Sequence, residues 1–282
     1  MRAFRVAYDG RPFHGFQRQP DVPTVEDAIF DALRELGVAD GKPDGYAAAG
    51  RTDAGVSAVA QTVAFECPDW LTPAALNAEL PASVRAWASA EAPEGFHATH
   101  HAESRTYVYH LYAPDADLGR AEAALDKLRG KHDFHNLTPD DENTVREPEA
   151  DVRRDGVFGS EATEGSSVER SESDAEYLVF TLRASGFVRE MVRRIVSLVH
   201  AVATGAAELS KVERVLGPEP IEGPEGVPPA PAYPLVLVDV AYPMLEFSTD
   251  EEAAASAREV FEALRAERAT GARLARELRE RI

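Results

Sequence analysis

The residues with the clearest chemical potential lie in the run Ala-Gly-Arg-Thr-Asp-Ala-Gly-Val-Ser-Ala at positions 49–58. This run places Arg51 and Asp53 two residues apart and between two glycines. Because glycine accepts backbone angles that other residues avoid, a carboxylate in such a loop can be held in strained geometry and approached closely by a ligand. Asp53 can therefore be a nucleophile, a general base, a metal ligand, or a turn residue whose side chain bonds its own backbone. For an arbitrary aspartate near glycine, the turn residue is the most frequent of these.

A second set of polar groups lies on a predicted strand, Ser104–Tyr112. Because side chains alternate between the two faces of a strand, Arg105, Tyr107 and Tyr109 share one face. A tyrosine on a strand is most often a buried ring with a hydrogen-bonded hydroxyl. The residue pattern alone therefore favours a structural role for both tyrosines.

A third set lies on a predicted helix from Gly186 to about residue 204. Its apolar residues cover about half of the helical wheel as a core face. Arg189, Arg193 and His200 fall together at the edge of that face. A basic stripe at such an edge suits a binding role, but a solvated face or internal ion pairs explain it equally well.

The remaining candidates are weaker. Phe13–Pro20 mixes aromatic, glycine and basic residues in a predicted loop, which on residue types alone favours a packed turn over a binding site. His97, His100 and His101 lie close together, but zinc needs three or four ligands in suitable geometry and the remaining spacing is not diagnostic. We therefore predict no metal site.

Several segments resemble, in the same order, motifs of the TruA family of tRNA pseudouridine synthases. The resemblance extends from residue 4 to about residue 242 and therefore does not depend on one short match. Two departures are visible, since Ser57 stands where the family usually has histidine and Phe16 where it usually has tryptophan. The segments are Y-D-G and G-F-Q-R-Q (8–19), G-R-T-D-A-G-V (50–56), R-T-Y-V-Y (105–109), H-D-F-H-N-L (132–137), F-V-R-E-M-V-R-R-I-V (187–196) and A-P-A-Y-P-L (230–235).

The resemblance implies a role for each of several residues. Asp53 would be the catalytic nucleophile, and Arg193 would pair with it. Tyr107 would stack on the target uracil, and Leu235 would form part of the active-site wall. The residues expected to contact RNA are Arg18, Arg51 and Arg189, with Arg51 also holding the flipped nucleotide in place.

The implied reaction is the isomerisation of uridine to pseudouridine on the 3′ side of the tRNA anticodon stem-loop, with no cofactor. The expected partners are tRNA and a second copy of the chain in a homodimer. Attack by the aspartate at ribose C1′ and attack at base C6 are both compatible with the sequence. Two rival interpretations remain: a catalytically silent RNA-binding member of the fold, and an unrelated acidic hydrolase that uses Asp53.

The implied fold class is α+β, with two similarly built halves whose antiparallel sheets are flanked by helices and with the active-site cleft between them. We expect an N-terminal half at residues 1–100 and a C-terminal half at 101–245. An acidic, low-complexity insertion is expected at 156–175, and a terminal helix at 246–282.

The composition bounds the class of protein. With 282 residues, 44% of them hydrophobic, and no long apolar run, the chain is typical of a globular protein without a membrane span. The amino terminus leads into a strand pattern and has no signal-peptide features, so we expect a cytoplasmic protein. The single cysteine, Cys67, excludes an internal disulfide and a cysteine-based zinc cluster.

The charge balance is unusual for a protein that binds a polyanion. The chain has 49 acidic and 30 basic residues, a formal net charge of −19, and only four of the basic residues are lysine. Phosphate contacts normally depend on clustered lysine and arginine. An acidic protein that never meets nucleic acid is the simple alternative, but an acidic surface poor in lysine is also what we expect of a protein from a very salty cytoplasm.

Overall fold

The computed structural model describes residues 1–155, 176–221 and 223–282. These residues fall into two compact units, the first formed by Met1–His101 with Pro243–Ile282 and the second by Ala102–Tyr242. The insertion expected at 156–175 lies outside the described residues.

The strands and helices are numbered in chain order. The strands are β1 (Arg2–Tyr8), β2 (Ala47–Ala48), β3 (Ser57–Phe65), β4 (Val84–Glu91), β5 (Ser104–Tyr112), β6 (His132–Asp133), β7 (Val145–Arg146), β8 (Glu149–Asp155), β9 (Tyr177–Ala184), β10 (Leu235–Ala241) and β11 (Ser248–Thr249). The α-helices are α1 (Val25–Glu35), α2 (Pro73–Asn77), α3 (Leu118–Leu128), α4 (Met191–Ala203), α5 (Ser210–Val215) and α6 (Glu251–Glu280).

The first unit is built on an antiparallel sheet with the order β11-β4-β1-β3, and β2 also pairs with β3. Its central strand β1 is buried along almost its whole length, because it has a partner strand on each side. Phe4 stacks on Phe65 of β3 with ring centroids 5.2 Å apart, which ties the two strands together through their side chains. Helices α2 and α6 pack against β4.

Helix α1 shows how local sequence determines an element. Thr24 is its N-cap: the hydroxyl accepts a hydrogen bond from the Asp27 backbone N–H at 3.2 Å and donates one to the Asp27 carboxylate at 2.6 Å. The helix ends before Gly37, whose φ of +67° suits glycine. The apolar residues recur at helical spacing and are buried: Val25, Ile29, Phe30, Ala32 and Leu33.

The second unit contains an antiparallel sheet with the order β10-β5-β9-β8 and a separate pair, β6-β7. Helix α3 packs on β8 and on α4, and α4 turns an apolar face inward. In both units antiparallel sheets are flanked by helices, so the predicted α+β class is confirmed.

The predicted start of α4 was wrong. The helix expected from Gly186 begins at Met191, because the preceding Glu190 has a left-handed backbone with φ of +61°. The backbone N–H of Arg189 donates to the carboxylate of Asp140 at 3.0 Å, which holds this turn in place. Arg189 therefore lies outside the helix that carries Arg193.

Candidate active site

The loop that carries Asp53 joins β2 to β3 and is held in place from its middle. Thr52 is buried, and its hydroxyl is 2.8 Å from the hydroxyl of Tyr8 on β1. The Thr52 carbonyl accepts a hydrogen bond from the backbone N–H of Phe16 at 3.0 Å. Arg51 on one side of this buried threonine is exposed, and Asp53 on the other is half-buried. The two charged side chains therefore flank a rigid attachment point.

Both ends of the loop are also fixed by hydrogen bonds. The side-chain amide of Gln61 donates to the carbonyl of Gly50 at 2.9 Å, next to a backbone bond from Ala49 to Thr62. At the other end the backbone N–H of Val56 donates to the Asp53 carbonyl at 3.1 Å. Asp53 thus opens a tight turn, and its backbone position follows from that turn.

The two glycines of the loop have different structural roles. Gly55 has φ of +82°, a conformation that other residues rarely adopt, so the turn after Asp53 requires glycine there. Gly50 has no such angle, and a Cβ added at this position would meet nothing within 4 Å. Gly55 thus has an unusual backbone conformation, whereas Gly50 has an ordinary one.

A second loop braces the turn from the side. A Cβ on Gly10 would lie 2.1 Å from the carbonyl oxygen of Val56, so the two backbones touch and no larger residue fits. The backbone N–H of Gly10 donates to the hydroxyl of Ser57 at 3.0 Å. Ser57, which departs from the usual family histidine, therefore joins the two loops.

The aromatic loop before α1 is a packed turn. Phe16 is buried and tilts against Tyr8 with ring centroids 6.2 Å apart. Arg18 has its guanidinium 2.6 Å from the Asp27 carboxylate and 5.5 Å from the centroid of the Phe30 ring. Because about half of the Arg18 side chain remains exposed, it is both anchored and accessible.

In the second unit Tyr107 lies on β5 and is partly exposed. Its ring meets Phe187 edge-on, with centroids 5.4 Å apart and an interplanar angle of 86°. This contact constrains the orientation of the Tyr107 ring. The sequence predicts that Phe187 lies within a helix starting at Gly186, but Phe187 precedes α4.

The segment before β10 is held by two side chains. Arg193 donates from Nε to the carbonyl of Ala230 at 2.7 Å, and the Tyr109 hydroxyl donates to the next carbonyl, Pro231, at 2.9 Å. Leu235 then begins β10 as a buried residue paired with Tyr109. Burial raises the pKa of Tyr109 to about 12, and the positive charge of Arg193 only partly offsets this.

Arg189 is exposed and pairs with the Asp140 carboxylate at 3.4 Å. In the described part of the chain, no three histidine, cysteine, aspartate or glutamate side chains form a group suited to a metal ion. No helix among the same residues has the length and hydropathy needed to cross a membrane.

Sequence reasoning missed three residues that position the candidates: Tyr8, Gln61 and Tyr109. Tyr8 and Gln61 lie on neighbouring strands and hold the Asp53 loop, whereas Tyr109 holds the segment that Arg193 also bonds. Alternation placed Tyr109 on the same strand face as Tyr107, which was the available signal.

Comparison with known proteins gives one consistent result. A family model described as tRNA pseudouridine synthase matches residues 124–243. A tRNA pseudouridine synthase A of Haloarcula marismortui is 56% identical over 287 residues, covering 98% of each chain. One of Halobacterium salinarum is 57% identical over 277 residues, covering 97% of each.

Both relatives come from halophilic archaea, in agreement with the acidic composition that is poor in lysine. Among solved structures, the archaeal box H/ACA sRNP Nop10-Cbf5 complex matches 71% of this chain and 42% of its own, with 12% identity and a TM-score of 0.34. A TM-score this low supports no conclusion about this chain. The sequence identity along almost the whole chain places this protein in the tRNA pseudouridine synthase A family, whose members are isomerases acting on uridine in tRNA.

Proposed function

We propose that this chain forms pseudouridine on the 3′ side of the tRNA anticodon stem-loop, with Asp53 as the nucleophile. The observation that carries the proposal is the loop itself. A half-buried carboxylate and an exposed guanidinium flank the buried Thr52, and a tight glycine turn follows. A carboxylate with a fixed backbone and a partly exposed side chain suits attack on a bound nucleotide, because little reorganisation is needed before reaction.

The reaction is an isomerisation, so its atoms balance within the substrate. The bond from uracil N1 to ribose C1′ breaks, a bond from C5 to C1′ forms, C5 loses a proton and N1 gains one. The Asp53 carboxylate attacks either C1′ or C6 and is released again when the base rejoins the ribose. No electrons enter or leave, and the balance requires no further reactant.

The base must leave its stack before the carboxylate can reach it. Arg51 is exposed two residues from Asp53, and a guanidinium can occupy the opened space and contact the displaced nucleotide. We assign Arg51 this role because the loop anchors its backbone through Thr52 while the side chain stays accessible.

The residues of the second unit enter the proposal through their sequence motifs. Tyr107 is proposed to stack on the uracil, with a ring that Phe187 holds edge-on. Arg193 is proposed to pair with Asp53, and Leu235 to line the same site. Each of these side chains has a defined neighbour in its own unit, which supports a positioned role.

Arg18 and Arg189 are proposed to contact the RNA backbone. Each pairs with one carboxylate and stays about half exposed. Exposed ion pairs contribute little to stability, so phosphate can replace the carboxylate at small cost. A homodimer, as the family resemblance implies, and a cytoplasmic location, as the amino-terminal sequence suggests, are part of the same proposal.

The test is pseudouridine formation in unmodified tRNA at multimolar KCl, comparing the unchanged chain with Asp53→Ala and Asp53→Asn. Both variants are expected to bind tRNA and to yield no detectable product, because the nucleophile is lost. Asp31→Asn, an exposed aspartate on α1, is the matched control and should retain activity.

Two results would change the conclusion. Product from Asp53→Ala at the normal rate would remove Asp53 as nucleophile. A folded chain that binds tRNA and never forms product would be a silent RNA-binding member of the fold.

A further inference from the structure

The outer half of helix α6 leaves the body of the first unit. The helix is buried only at its start, through Ala253, Ala254 and Ala257, and every residue from Arg265 onward is exposed. Its first turn is firmly attached: the Asp250 carboxylate caps α6 through the Ala253 N–H at 3.0 Å and also accepts from the Ala74 N–H at 3.1 Å. The exposed half is therefore an extension of a fixed element.

The arginines of this helix form a stripe. At about 100° per residue, five of them fall within about 80° of one another, and no glutamate of the helix falls within that sector. We call this set the arginine stripe: Arg258, Arg265, Arg268, Arg276 and Arg279. The sector also contains the buried Ala254, so the stripe continues the face that packs on the unit.

The charge of this segment differs from that of the chain. Residues 264–282 contain six arginines and three glutamates, a formal charge of +3, whereas the whole chain carries −19. Against such an acidic background, arginines gathered on one side of a helix stand out as a site of opposite potential.

The stripe passes beside the loop that carries Asp53. Arg268 lies 3.9 Å from the carboxylate of Asp9, and the next residue, Gly10, touches the backbone of Val56. From Arg268 the stripe extends outward by about 16 Å to Arg279. A substrate bound at the Asp53 loop thus lies next to Arg268, from which two further stripe arginines extend outward.

We propose that the arginine stripe binds the phosphate backbone of the tRNA substrate, outside the nucleotide that is isomerised. This inference rests on the proposed function for the identity of the RNA. Guanidinium groups suit phosphate because they donate paired hydrogen bonds at contact distance, where salt screens least.

Apart from the Arg268–Asp9 contact, whose carboxylate is buried, the existing ion pairs of the stripe are compatible with this role. Arg265 pairs with Glu262 at 2.7 Å and Arg258 with Glu251 at 3.8 Å, and all four side chains are more than half exposed. Such pairs contribute little and can exchange for phosphate. Arg276 has no carboxylate within 4.0 Å among the described residues.

The test compares two double substitutions on the same helix. Arg276→Gln with Arg279→Gln removes two charges from the stripe. Arg273→Gln with Arg281→Gln removes two charges from other sides of the helix and is the matched control. All four side chains are exposed, so both variants should fold.

The readout is the Kd for unmodified tRNA, measured by fluorescence anisotropy across a KCl series. At the lowest KCl at which the chain stays folded, the stripe variant should raise Kd by about tenfold or more. The slope of log Kd against log KCl should become shallower by about 1.4 to 1.8. The control should change Kd less than about twofold.

Equal weakening by both variants, or no weakening by either, would overturn the proposal. Sedimentation of the unchanged chain and both variants in the absence of RNA measures their oligomeric state. A change in oligomeric state in the stripe variant, with or without weaker tRNA binding, would make a second copy of this chain the occupant. Because binding is measured apart from product, a chain that binds tRNA through the stripe but forms no pseudouridine would disprove the proposed function and not this inference.

Discussion

At the scale of single residues, the side chains with chemical potential are positioned by neighbours far away in sequence. Thr52 holds the backbone between Arg51 and Asp53 because its hydroxyl meets Tyr8, 44 residues earlier. A buried hydroxyl pair of this kind resists displacement, since separating the groups would leave both unsatisfied. The position of Asp53 therefore depends on residues that do no chemistry.

Tyr109 provides a pH test of the second unit. Its pKa is about 12 in the folded chain, against an ordinary value of 10.0. Between these values the unfolded chain releases the proton and the folded chain retains it, so rising pH favours unfolding. Tyr109→Phe has no proton to lose, and its stability should fall less steeply with pH over this window.

Denaturant unfolding of both proteins from pH 9 to pH 12, at constant KCl, measures the difference in slope. At neutral pH the variant should lose about 0.5 to 1.5 kcal/mol with its hydrogen bond to the Pro231 carbonyl. Parallel pH profiles for the two proteins would contradict the burial of this hydroxyl.

At the scale of elements, the candidate loop depends on the turn after β1. Gly10 touches Val56 so closely that a methyl group cannot be accommodated unless one of the two backbones moves. Gly41, in contrast, has nothing within 4 Å of an added Cβ and no left-handed backbone. The two glycines therefore form a matched pair for substitution.

Gly10→Ala should displace the Asp53 loop and lower kcat/KM for tRNA by roughly 100-fold, since a shift of about 1 Å at a reacting group can cost that much. Gly41→Ala should keep nearly full activity. The measurement is initial-rate pseudouridine formation, with circular dichroism to verify folding. Full activity in Gly10→Ala would show that the contact does not position the loop.

At the scale of the whole molecule, the net charge of −19 determines the conditions under which the chain is stable. Like charges on a compact surface repel and favour the expanded state. At about 1 M salt the Debye length falls to about 3 Å, so this repulsion is largely screened. The arginine stripe and the ion-paired arginines are the local exceptions at which we propose that tRNA binds.

The thermal unfolding midpoint is accordingly expected to rise steadily as KCl is increased from 0.2 M to 3 M, by roughly 10 °C or more. Sucrose, which stabilises by exclusion from the surface without screening charge, is the control. At equal water activity, sucrose should not raise the unfolding midpoint as much as KCl does. A midpoint independent of KCl would contradict stabilisation by charge screening.

Much of the fold was predictable because its signals are local. Alternation located Ser104–Tyr112 within the strand that the structure has, and the Thr24 cap and apolar spacing located α1. The motif that contains Asp53 was recognisable by residue type and spacing, and the charge composition predicted a salty environment. Each of these features depends on residues adjacent in the sequence or on the overall composition, and both can be read from a sequence.

Only the tertiary structure decided which residues hold the site in place. Helix α4 begins at Met191 because Asp140, about 50 residues earlier in sequence, accepts the Arg189 N–H and stabilises a left-handed Glu190. The contact of Gly10 with Val56 and the Ser57 bond likewise join segments more than 40 residues apart. Helical periodicity indicates which face of a segment is buried, but it contains no information about contacts with residues distant in sequence. Those distant contacts determine where α4 starts and how the Asp53 loop is held.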